Sequence, residues 1–368
     1  MFYAVVDSVR GDDLPRLLTV AWFGAGGVTV AFGLLQLHDR LTSLGGRWDW
    51  IAWDKSNFPI DSIWSTFGNP NHLAGFLAAL LPVGLALALV ATTRRVRLAI
   101  AALGVAALVE LLFTGTVGGW LGAVAGLMAA GIVLLPELRA RWRLVAGAAV
   151  AVVVIVVSAG FAIGPRRGLG AQFTAAFDLK GASTANQRLA YWRAALVMAR
   201  ERPLVGVGPD MYELRFSRHQ DAEFVRYNGF ALDVNGPHNT FLNRLSAIGV
   251  PGFALFVALI ALASLRAVAA WRRLRRAELA GDRAARAPAT AQRQLLAGVA
   301  GGLVAYLVQA TFNVDQVGLS LLFWVFLGML AVLTSAAGVL SSVRPRLLLS
   351  PSVPPPAAPR AEGKAPVG

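Results

Sequence analysis

The sequence predicts an all-α polytopic membrane protein with about eight transmembrane helices and one large outward-facing loop between spans five and six. Of its 368 residues, 56% are hydrophobic and only 15% are charged, and the mean hydropathy is +0.60. A soluble core does not need so much apolar surface. Apolar runs of about 18 to 25 residues also recur, and each is long enough to cross a hydrocarbon layer of roughly 30 Å as a helix.

Eight such runs follow one another along the chain. They cover residues 17–37, 72–90, 96–113, 118–135, 144–164, 239–265, 295–312 and 317–340. An even number of spans places both termini on the same side of the membrane. The residues before the first span lack the basic segment of a cleavable signal, so we expect this span to stay in the membrane.

Basic linkers predict which side faces the cytoplasm. Residues 93–97, 137–143 and 266–293 are rich in arginine and lie on one side of the predicted topology. The positive-inside rule makes that side cytoplasmic, together with both termini. The net charge of +14 is explained by the same linkers, and we expect no nucleic-acid partner because no nucleic-acid-binding module accompanies the charge.

The spans divide the chain into four segments. Residues 1–164 hold spans one to five, 165–237 form an extracytoplasmic loop subdomain, 238–340 hold spans six to eight, and 341–368 are a Pro-rich, disordered cytoplasmic tail. A loop of this length without structure of its own would be unusual inside a compact bundle. We therefore expect the loop to fold and to carry most of the chemistry.

The loop contains a basic helix followed by a glycine turn. Arg188, Trp192 and Arg193 belong to the helix, where guanidinium groups suit either a phosphate substrate or lipid headgroups. Gly206 and Gly208 follow Pro203 and let the backbone double back. This short glycine turn lacks a Walker lysine and the strand and helix of a dinucleotide site, so it does not predict nucleotide binding.

Polar residues also stand at the starts of two spans. His238 and Asn239 precede span six, where a neutral imidazole suits proton transfer and an asparagine suits either a substrate contact or an ordinary helix cap. Asn69 and Asn71 flank Pro70 at the start of span two, where a helix cap explains Asn69 equally well. A cap or a lipid headgroup contact stays an open alternative for His238.

Glu110 lies inside span three, and an ionisable group at membrane depth is a functional candidate by default. Structural pairing of Glu110 is the competing interpretation. Asn313, Asp315 and Gln316 offer oxygen ligands in the last outer turn, but no acidic pair or histidine cluster there suggests a metal cage. The chain has no cysteine, which excludes disulfides and thiolate metal sites. We expect no metal and no cofactor.

Several motifs, taken in order, resemble the O-antigen ligase and polymerase family of lipid-linked oligosaccharide transferases. The resemblance covers roughly residues 65–265, and the flanking spans are similar only in hydropathy. The motifs are Ser65-Thr66-Phe67-Gly68-Asn69-Pro70-Asn71, Thr114 to Gly122, Arg188 to Trp192, Pro203 to Pro209, and Pro237 to Leu242 followed by Gly249 and Gly252.

The resemblance implies an integral glycosyltransferase of the bacterial inner membrane. Its donor is a glycan on undecaprenyl diphosphate, its acceptor is a lipid or protein hydroxyl or a growing polymer, and membrane lipids surround it. The reaction takes place on the outer face without a metal or nucleotide. The resemblance further implies that Arg188 contacts the diphosphate and that His238 assists the acceptor hydroxyl.

The sequence differs from the family's usual pattern in two respects, and these differences leave other functions open. The family commonly has an arginine in the short outer turn, where this chain has Thr116-Val117-Gly118, and Arg166, Arg167 or Arg193 are candidate replacements. Members also usually have more spans, so N-terminal helices are absent here or supplied by a partner. The alternatives are a transporter with a polar route through Glu110 and His72, and an inactive scaffold of the same family.

Overall fold

The computed structural model describes residues 1–9, 13–41, 63–143, 146–147, 150, 184–230, 234–280, 283–313 and 317–335. Within these ranges the chain is helical and contains no strand, which confirms the predicted all-α membrane protein. Predicted span five, at 144–164, lies largely outside the described residues. The predicted tail, Arg166, Arg167, Asp315 and Gln316 lie wholly outside them.

The described residues form twelve α-helices, and a π-helical turn at Trp22–Gly26 joins the second to the third. The helices are α1 (Phe2–Ser8), α2 (Leu14–Ala21), α3 (Gly27–Leu41), α4 (Pro70–Val90), α5 (Arg94–Phe113), α6 (Val117–Ala140), α7 (Thr184–Glu201), α8 (Tyr212–Phe216), α9 (Ala222–Asn228), α10 (Thr240–Ala280), α11 (Arg283–Ala310) and α12 (Val317–Thr334).

Five of the predicted spans are helices long and apolar enough to cross a membrane. They are 14–38, which runs from α2 into α3, and the helices α4, α5, α6 and α10. Predicted span seven falls in α11, and predicted span eight falls in the shorter apolar helix α12. The polytopic architecture is confirmed, whereas the count of eight stays a prediction.

Helices α4, α6 and α11 pack together most extensively and form the centre of the bundle. Small residues allow this close packing: a Cβ added to Gly126 of α6 would lie 2.5 Å from the carbonyl oxygen of Gly301 in α11. In a membrane, packing of this kind drives helix association because lipid removes the hydrophobic driving force between helices. The three helices therefore form a rigid frame.

The loop helices form a second hydrophobic cluster of their own. Its buried members on α7 are Tyr191, Ala194, Ala195 and Met198, which pack against aromatic rings of α8 and α9. Helical spacing in the sequence predicts an apolar face through Leu189, Trp192, Leu196 and Ala199. This prediction is only partly right: Ala199 is buried and Trp192 packs on the cluster, but Leu196 is 40% exposed because the aromatic partners on α8 and α9 select the face around Tyr191.

A backbone break inside α10 anchors this loop to the bundle. Gly249 has a φ of +70°, so the helix is interrupted between Ile248 and Val250. The turn after α7 satisfies the backbone groups at the break, because the N–H groups of Val207 and Gly208 donate to the carbonyls of Ser246 and Ala247 at 2.8 and 3.0 Å. In return, Val250 donates its N–H to the carbonyl of Pro203 at 2.7 Å.

A buried ion cluster closes the other end of the bundle. Arg293 of α11 is 2% exposed and pairs with Glu137 of α6 and with Glu278 of α10, where its Nε lies 2.7 Å from a carboxylate oxygen. Arg275 adds a contact of 3.1 Å to Glu278. Nearby, Arg97 donates to the carbonyls of Ala88 and Ala91 at the C-terminal end of α4.

Gly249→Ala tests the backbone break. An alanine would adopt an unfavourable positive φ, and its Cβ would lie 2.6 Å from the carbonyl carbon of Leu204. We expect a loss of about 1–3 kcal/mol of stability, measured by thermal unfolding in detergent. The control is Gly104→Ala, because no atom lies within 4 Å of the added Cβ and alanine favours the helix. Equal unfolding temperatures for the two variants would contradict the role of the break.

Arg293→Met tests the ion cluster. The change leaves the carboxylates of Glu137 and Glu278 buried without their cation, so we expect a loss of about 3–5 kcal/mol, again from thermal unfolding. Arg276→Met removes an exposed arginine from the same region and should change stability by less than about 0.5 kcal/mol. A small effect in the first variant would show that the cluster does not hold the helices together.

Candidate active site at one end of the bundle

Several helix ends meet at one end of the bundle, next to the loop helices. The N-terminal ends of α4, α6 and α10 gather around the C-terminal end of α11. Three contacts define this meeting point: Gln309 donates to the carbonyl of Asn71 at 3.2 Å, Thr240 donates to the carbonyl of Asn313 at 3.2 Å, and Phe312 packs on Gly118. The N-terminal ends carry partial positive charge, so the site favours anions.

His238 stands directly before α10 in a strained conformation. Its φ is +50°, a region that side chains other than glycine rarely occupy and that clusters at functional sites. The imidazole is partly buried and stacks on the ring of Tyr191, with centroids 5.7 Å apart. Burial, together with the nearby Arg188 and His72, lowers the pKa of His238 to about 4. The ring is therefore neutral at pH 7.

Arg188 lies on the loop helix α7, close enough to His238 for its charge to act on the imidazole. Burial lowers the pKa of its guanidinium, whereas the proximity of Tyr191 raises it. Among the described residues, no carboxylate pairs with Arg188 and no hydrogen bond engages it. A partly buried cation without a partner costs desolvation energy, which an anionic ligand offsets.

Tyr191 stacks on His238 and lies close to Arg188, so it helps to position both side chains. The sequence analysis did not identify it as a site residue. Its ring lies between His238 and the aromatic side chains of Phe216 and Phe224. Its backbone carbonyl accepts a hydrogen bond of 2.8 Å from the hydroxyl of the buried Tyr212. The available signal was the tyrosine inside the Arg188 to Trp192 motif, but its partners lie between Tyr212 and His238, well beyond the motif along the chain.

Asn69, Asn71 and His72 line the start of α4. The side chain of Asn69 accepts from the N–H of Asn71 at 2.8 Å, which confirms that Asn69 is the N-cap with Pro70 at the first helical position. His72 is buried and lies near His238. The structure therefore brings this motif to the site, while direct substrate contacts of Asn69 and Asn71 stay a prediction.

Asn239, Gly206 and Gly208 have clear structural contacts. The side chain of Asn239 accepts from the N–H of Leu242 at 3.1 Å and caps α10. The glycines have φ values of +68° and +106° and belong to the turn that meets the break in α10. A Cβ on Gly206 would lie 2.4 Å from Ala247. Their predicted roles in substrate binding stay predictions.

Trp192, Arg193 and Glu110 are less closely associated with His238. The indole N–H of Trp192 is buried without a hydrogen-bond partner among the described residues. Arg193 is 64% exposed and pairs with Asp221 at 3.4 Å. Glu110 is fully buried, and its carboxyl group lies against Gly33 of α3. In the described part of the chain, no hydrogen bond or ion pair joins these groups to His238 or Arg188.

Metal ligands do not cluster in the described ranges: no group of three His, Asp or Glu side chains is arranged there to hold an ion. The structure instead combines a neutral imidazole, several helix N-termini and a guanidinium that no carboxylate of the described residues pairs with. Such a set can bind an anionic group and accept a proton from a hydroxyl next to it.

Taken together, the described residues form a polytopic membrane protein in which several helix N-termini, His238 and Arg188 meet at one end of the bundle. Residues 102–257 match the family model described as Wzy_C, O-antigen ligase. This match confirms the resemblance to the O-antigen ligase family, and the matched segment includes both Arg188 and His238. The family is one of ligase- or polymerase-type membrane glycosyltransferases. The search of curated proteins found no match.

The membrane spans and the family match together indicate the bacterial inner membrane. They also agree with a role in polysaccharide or lipopolysaccharide synthesis. The side of the membrane that the loop faces, and the position of the termini, stay predictions based on the basic linkers.

The lowered pKa of His238 predicts how stability depends on pH. An unfolded histidine binds a proton below about pH 6.5, whereas the folded site resists protonation until about pH 4. His238 therefore makes the fold less stable as the pH falls through this window. His238→Gln should unfold at a temperature that falls less between pH 7 and pH 4.5 than in the unaltered protein. Parallel curves for the two proteins would contradict the buried, neutral imidazole.

Proposed function

We propose that this protein transfers a glycan from an undecaprenyl diphosphate carrier to an acceptor hydroxyl on the outer face of the inner membrane. The observation that carries the proposal is the partly buried Arg188, which has no carboxylate partner among the described residues, beside the neutral His238 in a segment that matches the O-antigen ligase family. The acceptor is a lipid, a protein or a growing polymer.

In this proposal Arg188 stabilises the leaving group. The acceptor oxygen forms a bond to the anomeric carbon of the glycan while the bond from that carbon to the phosphate oxygen breaks. The diphosphate leaves with the carrier lipid and gains negative charge as the bond breaks. A guanidinium held in place by α7, with no carboxylate partner among the described residues, can stabilise that charge by a few kcal/mol, about 10² to 10³ in rate.

His238 takes the proton that the acceptor hydroxyl loses. The imidazole is neutral and able to accept a proton because burial and the charge of Arg188 hold its pKa low. A bound diphosphate would counteract the charge of Arg188, and a negative charge nearby raises the pKa of a histidine. Donor binding would therefore make His238 a stronger base at the moment when the acceptor needs one.

The two alternative functions have weaker support. A transport route through Glu110 and His72 would need polar groups between them, and within the described ranges no hydrogen bond or ion pair links the two side chains. An inactive scaffold would need neither an unpaired guanidinium nor a strained histidine, and both carry a cost in stability. The transfer reaction gives both features a purpose.

Replacement of His238 and Arg188 tests the proposal. The variants are expressed in cells that lack the native gene, and the glycan-bearing product is measured on gels of the membrane fraction. We expect His238→Ala to abolish transfer, because the change removes the base that accepts the proton of the acceptor hydroxyl. Arg188→Met should lower transfer by at least about 10²-fold.

A matched control separates chemistry from folding. Arg200→Met changes an exposed arginine on the same helix, α7, and should leave transfer unchanged. Size-exclusion chromatography in detergent must show that all three variants insert and fold. Normal transfer by folded His238→Ala protein would rule out the proposed role of the imidazole.

A further inference from the structure

Asn313, at the C-terminal end of α11, has an unsatisfied donor in the middle of the meeting point of helix ends. The residue is 3% exposed, and its side-chain Nδ2 has no hydrogen-bond partner in the part of the chain that the structure describes. A buried amide that makes no hydrogen bond costs about 1–3 kcal/mol. An unsatisfied buried donor in a native fold calls for an explanation, and a role in ligand binding would explain it.

The surroundings of Asn313 favour a negatively charged ligand. Its own carbonyl is fixed by the hydroxyl of Thr240 at the start of α10, and the preceding Phe312 packs on Gly118 at the start of α6. One turn earlier, Gln309 contacts Asn71 at the start of α4. The start of α10 therefore contacts Asn313 itself, the starts of α4 and α6 contact Gln309 and Phe312 just before it, and each helix start carries partial positive charge.

The start of α6 strengthens this interpretation. Thr116 occupies the N-cap position but makes no cap hydrogen bond with its side chain, which instead lies 3.0 Å from the hydroxyl of Thr114. The first N–H groups of α6 consequently lack a side-chain cap. Val117 brings no cation to this turn, so any phosphate held here needs neutral donors.

We propose that the side-chain amide of Asn313 donates a hydrogen bond to a phosphate oxygen of the prenyl diphosphate, next to the uncapped start of α6. This inference rests on the proposed function. It assigns a second diphosphate contact, in addition to that of Arg188. Asn313, which follows the end of α11, thereby supplies the contact that the Thr116-Val117-Gly118 turn lacks. The ligand it recognises is the diphosphate and not the sugar.

Binding of farnesyl diphosphate tests the inference, because this probe has a prenyl chain and a diphosphate but no sugar. The full chain is purified in detergent, and affinity is measured by calorimetry. We expect Asn313→Ala to weaken binding at least about tenfold, which corresponds to about 1.4 kcal/mol for the lost hydrogen bond to a charged group. Asn313→Asp should weaken it further, because a carboxylate repels the diphosphate.

Gln292→Glu is the matched control. It makes the same amide-to-acid change at a buried position near the other end of α11, where Gln292 donates to the carbonyl of Leu333 at 2.9 Å. It should lower stability without changing the affinity for farnesyl diphosphate. If Asn313→Asp does not fold, Asn313→Ala decides alone, because it removes the donor without adding charge.

The outcomes separate this inference from the function on which it rests. Unchanged affinity in Asn313→Ala, alongside weaker binding in Arg188→Met, would overturn the role of Asn313 and leave the transferase proposal standing. A native protein that binds no farnesyl diphosphate would count against both. Weaker binding in Asn313→Ala together with a lack of glycan transfer by the native protein would support a diphosphate site and reject the transferase.

Discussion

A membrane-spanning helix can be interrupted only where its free backbone groups find partners, because lipid offers none. The break at Gly249 meets this requirement through the turn between Pro203 and Gly208, which exchanges three backbone hydrogen bonds with α10. The same junction fixes the loop helices above the bundle. The position of Arg188 and Tyr191 over the start of α10, and hence the site itself, depends on this exchange.

The two ends of the bundle differ in whether their buried polar groups have partners within the described residues. At one end, Arg293 and its two glutamates satisfy each other in a buried cluster, so that end is complete within the chain. At the other end, the side-chain donors of Arg188 and Asn313 have no acceptor among the described residues, and His238 has a strained backbone. An arrangement that is costly without a ligand is typical of a site prepared to bind one.

The sequence was sufficient to predict those structural features that depend on residues close together in the chain. Apolar runs predicted the helical spans, and the Asn69-Pro70 pair predicted the N-cap of α4, because both depend on neighbouring residues. The buried face of α7 and the positioning role of Tyr191 depend on partners in α8 and α9, which spacing within one helix does not reveal. A helix N-terminus next to His238 disfavours the charged imidazolium, but the main cause of the lowered pKa is burial by residues distant in the sequence.

The arginines of the basic linkers have two roles, one predicted during membrane insertion and one in the folded protein. The positive-inside rule predicts that they retain the linkers in the cytoplasm while the chain enters the membrane. Once the helices have assembled, Arg97 and Arg141 bind the last carbonyls of α4, and Arg293 joins α6, α10 and α11. The arginines that are predicted to orient the nascent chain thus also form contacts that hold the folded helices together. Correct insertion and completion of the fold therefore depend on the same residues.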